Sequence, residues 1–405
     1  MDTQRIREQF PILKEVTYLD SASTSLTPEP VLEAVLDYYR SYRANVGRGV
    51  YRTALLADQR YRDAHGKAAA FVSGAGPEGA TIFTRNTTES INMVASGMKW
   101  KKGDEIVTTL GEHHSNLLPW MRQREKGVNL KVITPDRNGF IELADLERAI
   151  SKATRLVAVS QLSNALGSVL PVKEIGKICR ERGVALLVDG AQSVPHMPVN
   201  VKDIGCDFLC FSGHKMLAPT GTGVLWIRNE ALAEVEPLLV GGGMVHDVAD
   251  VPQGSYAIKK GYEGYEAGTP DISAGLGLGA AVDYLNRVEV GEIHHQEKRL
   301  TAKLLEGLQE IKGVQVFGPT EPASSRQERG GVVSFAVEGL LPHEVALMLD
   351  QASSICVRSG HHCCIPLMKH LGLKYGTVRA SLYLYNTEEE IEKLLATLEQ
   401  IAGMA

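Results

Sequence analysis

Phe208-Leu209-Cys210-Phe211-Ser212-Gly213-His214-Lys215 reads as a short apolar strand that runs into a hydroxyl, an imidazole and an amine. Upstream, Ala185-Leu186-Leu187-Val188 runs straight into Asp189-Gly190-Ala191-Gln192, a second buried strand whose first polar residue is a carboxylate. A lysine and an aspartate at neighbouring strand ends point to pyridoxal phosphate. The lysine supplies the Schiff-base amine, and the carboxylate pairs with the pyridinium nitrogen so that the ring can accept electrons.

Size and charge fit that direction. A chain of 405 residues, 44% hydrophobic, can bury a large core and suits two or three domains. With 43 Lys+Arg against 48 Asp+Glu the net charge is -5, so no basic field for nucleic acid or acidic lipid arises. The first segment, Met1 to Phe10, mixes charges and has no apolar core, so it reads as no secretory signal. No apolar run approaches the length of a membrane span, and a cytoplasmic protein is expected. Six cysteines in so long a chain make no disulfide framework. Cys179, Cys206, Cys210 and Cys356 sit in apolar segments and read as reduced core residues.

Taken in order, Tyr18 to Ser25 has the small polar residues of a loop that lets a ligand come close, or of an ordinary N-cap before a helix from Pro30 to Arg43. Ala80-Thr81-Ile82-Phe83 is a strand, and Thr87 and Thr88 then stand at a helix start, where backbone N–H groups and two hydroxyls make a phosphate seat. One of these threonines as a simple cap is the competing reading. His113 and His114 follow the strand Glu105 to Leu110. Adjacent side chains diverge, so a shared metal is disfavoured against one imidazole stacked on an aromatic cofactor.

Strands at Leu130 to Thr134, Leu156 to Ser160, Ala185 to Val188 and Phe208 to Phe211 alternate with helical segments such as Leu143 to Ser151 and Val172 to Arg182. That alternation predicts an α/β fold with a largely parallel sheet. Ligands bind such sheets at the carboxyl ends of strands, where Thr87, His113, Asn164, Asp189 and Lys215 all fall. Past Val240 a long polar excursion runs to Glu266-Ala267-Gly268-Thr269-Pro270. From about Leu285 a long helix through Glu310 opens a separate α+β region, whose last helix starts at a capping box, Thr387 to Glu390.

Cys356-Val357-Arg358-Ser359-Gly360-His361-His362-Cys363-Cys364-Ile365-Pro366 is the second concentration of chemistry. Structural zinc wants ligand pairs spaced along the chain, and these four candidates are contiguous. A turn that carries a thiol beside imidazoles and Arg358 suits a reactive thiolate better. Arg379 could bind a substrate carboxylate as a fork; alone it would read as a surface ion pair.

Together these segments resemble the class V aminotransferase superfamily of pyridoxal phosphate enzymes, most closely the Suf-type, group II cysteine desulfurases of iron-sulfur assembly. The motifs are Tyr18-Leu19-Asp20-Ser21-Ala22, Thr84-Arg85-Asn86-Thr87-Thr88-Glu89, Glu112-His113-His114-Ser115-Asn116, Ser163-Asn164-Ala165-Leu166-Gly167, Asp189-Gly190-Ala191-Gln192, Ser212-Gly213-His214-Lys215, Glu266-Ala267-Gly268-Thr269-Pro270 and Arg358-Ser359-Gly360-His361-His362-Cys363. The resemblance implies a fold-type I transferase. Its large domain, 21–285, would hold a mainly parallel seven-stranded sheet, and its smaller α+β domain, 1–20 and 286–405, the catalytic cysteine.

By that resemblance Lys215 binds the cofactor covalently, Asp189 pairs with its ring nitrogen, His113 stacks on the ring and Gln192 bonds the phenolic oxygen. Thr87, Thr88, Ser212 and His214 hold the phosphate. Gly242 and Thr269 reach the cofactor of a partner subunit, which implies a homodimer. Asn164, Arg358 and Arg379 serve the substrate, L-cysteine, and Cys363 takes its sulfur for an acceptor protein or thiol. The chain departs from the family at Gly47 and Tyr51, where histidines are usual, and at Cys364, where Ala is common. Cys364 would be either a sulfur relay or filler. The near alternatives are a selenocysteine lyase and a cysteine sulfinate desulfinase. A scaffold that has kept only the fold is disfavoured by the presence of Lys215, Asp189, His113 and Cys363, and a dehydrogenase by the lack of a G-x-G-x-x-G after the first strands.

Overall fold

The computed structural model describes residues 1–74, 78–320 and 328–404. It opens on a two-residue strand, β1 (Thr17–Tyr18). The large sheet follows: β2 (Gly79–Thr84), β3 (Glu105–Thr109), β4 (Asn129–Ile133), β5 (Thr154–Ser160), β6 (Ala185–Asp189), β7 (Phe208–Ser212) and β8 (Gly223–Arg228). After it come a solvent-exposed hairpin, β9 (Val245–Asp250) and β10 (Ser255–Ile258), and then β11 (Val314–Phe317), β12 (Val332–Val337), β13 (Ile355–Cys356), β14 (Arg358–Gly360) and β15 (Thr377–Ser381).

The spatial order of the large sheet is β2-β8-β7-β6-β5-β3-β4. Strand β8 runs antiparallel to both neighbours, and every other pair is parallel. Leu156 to Val159 and Leu186 to Val188 are buried without a break, as central strands covered on both faces require. The helix Val172–Arg182 supplies part of the cover. It buries Val172, Ile175, Ile178 and Cys179 and stops where Gly183 turns left-handed at φ 65°. Because β2, β3, β5, β6 and β7 point the same way, their carboxyl ends share one edge of the sheet.

A four-stranded antiparallel sheet, β11-β12-β15-β14, carries the C-terminal chemistry. Its Val333, Phe335 and Val378 meet Leu300, Leu304 and Leu308 of the helix Val290–Glu310, Val345 and Leu349 of Pro342–Ser353, and Leu394 and Leu398 of Glu388–Ala402. The last of these helices begins at the expected capping box of Thr387 and Glu390. Strand β1 pairs in parallel with β13, and Asp20 bridges to Ser381 at the end of β15. The N-terminal loop is thereby tied to the strand that carries Arg379.

Two helices differ from the sequence reading. The one placed at Pro30 to Arg43 is α-helical over Glu29–Asp37 and widens into a π-turn at Tyr38–Tyr42. The long helix expected from Leu285 is two helices, Ile272–Val288 and Val290–Glu310, broken at Glu289 by a left-handed φ of 69°.

Candidate active site

The carboxyl edge of the large sheet opens on a cavity of about 210 Å³. Thr87, Thr88, His113, Asn164, Asp189, Gln192, Ser212, His214, Lys215 and Arg358, all predicted from sequence, line it. Cys363 stands beside it, its Sγ 3.4 Å from Arg358 Nη2. Gly242 and Thr269 lie elsewhere in this chain, on a separate cavity of about 300 Å³ shared with Asn45 and Gly47.

At one end hydroxyls and backbone donors converge on a helix start. Asn86 caps the helix Thr87–Gly97 by accepting from Glu89 N, so neither threonine is spent on capping. Thr87 N donates to Ser212 Oγ at 2.9 Å, the Thr87 and Ser212 hydroxyls are 2.6 Å apart, and Thr88 Oγ1 is 2.7 Å from Ser115 Oγ. Gly223 makes this approach possible, because a Cβ there would meet the Asn86 backbone at 2.5 Å. Four hydroxyls at a positive helix end suit a phosphate.

At the other end Asp189 is 5% exposed, with Oδ1 accepting from Ala191 N at 2.9 Å. Burial pushes its carboxyl up, and the Ala191 N–H and then the Lys215 charge offset only part of that rise. A buried carboxylate gains most from a cation brought to it, which a pyridinium nitrogen supplies. Gln192 gives Nε2 to Ala22 O at 2.8 Å and leaves a buried Oε1 with no partner. His113 accepts from Ser115 N through Nδ1 at 3.0 Å, and burial, then the Lys215 charge, lowers it to about 3. It is therefore neutral, with its proton on Nε2, and suited to lie against a ring. The residues present fit pyridoxal phosphate.

Burial lowers the Lys215 amine to about 8 despite the pull of Asp189. An ordinary lysine frees its amine only near 10.4, so Lys215 becomes nucleophilic about two pH units sooner. In cofactor-free protein, trinitrobenzenesulfonate labelling of Lys215, read by peptide mapping, is expected to rise with pH through a midpoint near 8 and level off about one unit above it. A labelling curve that matches the surface lysines would contradict this.

The cysteine loop is held on several sides. Asn164 Nδ2 donates to His362 O at 2.7 Å, and His114 N donates to Cys363 O at 2.8 Å. Arg379, read alone as a surface ion pair, is wholly buried. It bonds Asp20 Oδ1 at 2.9 Å, Ser23 Oγ at 2.8 Å and Asn164 O at 2.9 Å, and its Nε has no partner. Among the described residues no group of three or more His, Cys, Asp or Glu side chains is placed to hold a metal ion.

Sequence reasoning gave no role to Glu112. It is fully buried, accepts from Thr109 Oγ1 at 2.8 Å, Asn116 Nδ2 at 2.7 Å and Ser160 N at 2.9 Å, and burial raises it to about 7. It ties the turn that carries His113 to the end of β5. Its only signal in the sequence was its place beside His113.

Similar proteins share the whole architecture. The profile of the family described as aminotransferase class-V matches residues 17–394. A probable cysteine desulfurase of Methanothermobacter thermautotrophicus is 45% identical over 100% of this chain and 99% of its own length. The apo structure of a cysteine desulfurase from Thermococcus onnurineus, 46% identical, superposes with a TM-score of 0.94 over 99% of this chain and 98% of that one. A lysine-to-alanine mutant of C-DES, with glycine covalently linked to its PLP cofactor, is 27% identical with a TM-score of 0.83, over 97% and 98% of the two chains.

Proposed function

The chain belongs to the aminotransferase class-V family, and from that premise we propose that it is a Suf-type, group II enzyme whose Lys215 pocket and Cys363 loop divide one reaction between them. Its activity is pyridoxal-phosphate-dependent cysteine desulfuration, which converts L-cysteine to L-alanine. When bound, the cofactor supplies an electron sink that weakens the bonds at the substrate Cα and, from there, the Cβ–S bond.

Each side chain then has a part. Thr87, Thr88, Ser212 and His214 hold the phosphate, Asp189 the ring nitrogen, and His113 the ring face, with Gln192 toward the phenolic oxygen. Arg379, packed behind the cavity wall against Asn164 and Ser23, is assigned to the substrate carboxylate, assisted by Asn164 and Arg358. Lys215 carries the cofactor and moves the proton at Cα. Cys363 Sγ attacks the substrate sulfur. The Cβ–S bond breaks with its electron pair left on carbon, which takes a proton. Alanine departs and a persulfide stays on Cys363.

The observation that supports this best is the meeting of Lys215, Asp189 and the Cys363 loop around one cavity, although they come from two different sheets. Gly242 and Thr269, away from that cavity, are assigned to the cofactor of a partner subunit, so the enzyme works as a homodimer. The persulfide passes to an acceptor protein or thiol in the cytoplasm. Among the described residues no helix is long and apolar enough to cross a membrane. We divide the chain into a large domain, 21–285, and a small one, 1–20 with 286–405, because β1 joins β13.

Purified protein reconstituted with pyridoxal phosphate is expected to show a visible band that shifts when L-cysteine is added. Alanine and sulfide should accumulate together under reductant. A shift without alanine would reassign the substrate, and no band at all would remove the assigned pocket.

A further inference from the structure

Cys364 is wholly buried among Ala165, Leu166, Leu367 and Met368. Its Sγ donates to Asn164 Oδ1 at 3.2 Å, and burial pushes the thiol up to about 12, which keeps the proton in place. The two ends of an amide differ, so a donor on Oδ1 turns Nδ2 the other way. That way lies His362 O, 2.7 Å distant.

The next residues need such an anchor. His362 and Cys363 both have left-handed backbone, φ 51° and 58°. Two side-chain-bearing residues in that region persist only where their surroundings over-determine them. Three bonds do so here: Asn164 Nδ2 to His362 O, His114 N to Cys363 O, and Cys364 N to His361 O, the last two both 2.8 Å. The first depends on which way the Asn164 amide faces. Cys363 Sγ, by contrast, is half-buried and turned to Arg358.

We propose that Cys364 is a positioning residue for the desulfuration reaction, whose S–H orients the Asn164 amide so that it clamps the loop carrying Cys363 at the substrate. This deepens the assignment of Cys363 as the sulfur-accepting residue and rests on it. It also sets aside a sulfur relay. Neighbouring Cα atoms are about 3.8 Å apart, shorter than disulfide geometry favours, and the Cys364 sulfur faces Asn164 within apolar packing.

The test compares the holoenzyme with Cys364→Ala and Cys364→Ser. Alanine removes the donor, whereas serine keeps one. For Cys364→Ala, the rate of Cys363 alkylation by iodoacetamide should change about fivefold, and KM for L-cysteine should rise by a similar factor, the effect of one hydrogen bond. Cys364→Ser should bring both back toward the unmodified enzyme. Mass spectrometry after one equivalent of L-cysteine should find persulfide on Cys363 alone. Unchanged alkylation and KM in Cys364→Ala, equal impairment in Cys364→Ser, or persulfide on Cys364 would each overturn the proposal. If the unmodified enzyme released no alanine, the desulfurase reading would fall instead, and the alkylation comparison would still decide the clamp.

Discussion

Replacing Cys363 by Ala is expected to reduce alanine formation from L-cysteine by at least about a thousandfold, as removal of a nucleophile does elsewhere. The same variant should keep its cofactor and should still exchange the substrate Cα proton with deuterated solvent. The reason is a separation in space. The groups assigned to binding and proton transfer belong mainly to the edge of the large sheet, whereas Cys363 follows β14 of the small one and meets the pocket through Arg358, with Asn164 bonded to the neighbouring His362. Deleting its sulfur leaves the Thr87–Ser212 and Asp189 contacts in place. Alanine assay and proton NMR of the recovered cysteine read the two halves independently. A selenol substrate sharpens the comparison, since selenium is the better leaving group. Equal loss on both substrates would show that the thiol is needed whichever atom leaves. Alanine production at the unmodified rate would remove Cys363 from the mechanism.

The pocket was legible because most of its residues lie at or just beyond the end of an apolar strand, and a parallel sheet brings strand ends together whatever their order in the chain. Asp189 and Lys215 needed only that rule. Glu112 was not legible, because its role is three hydrogen bonds to Thr109, Asn116 and Ser160, and the last pairing appears only once β5 lies beside β3. Arg379 was misjudged in isolation for a similar reason. Its partner Asp20 is far away in sequence and arrives through the bridge from Asp20 to Ser381. The helix Ile272–Val288 was hidden by its own composition, since Gly275, Gly277 and Gly279 speak against helix. Those glycines are there for contact. A Cβ at each would lie 2.7 Å from Tyr61, 2.7 Å from Pro219 and 2.9 Å from Ala64. The exposed hairpin β9–β10 gave no alternation to read, because neither of its faces is buried.

Replacing Lys215 by Ala is expected to abolish both halves of the reaction, which separates it from Cys363→Ala. The amine is the basic group that the strand end β7 delivers into the cavity, and burial has lowered it to about 8, within reach of neutral pH. A general base contributes on the order of a hundredfold to ten-thousandfold, so Cα exchange should fall by about a thousandfold, with alanine formation falling alongside. His113 cannot substitute for it. Its Nδ1 already accepts from Ser115 N, and burial with the neighbouring charges holds it near 3, too weak a base for the task. His214 is lowered to about 4 by burial and then by the Lys215 charge, so loss of that charge gives back only the smaller part. Added ethylamine should restore part of the exchange in Lys215→Ala, because the vacated space is open to the cavity, and should do nothing for Cys363→Ala. Exchange that persisted in Lys215→Ala without added amine would assign the proton to another group, and Glu112, raised to about 7 beneath the His113 turn, would be the first to examine.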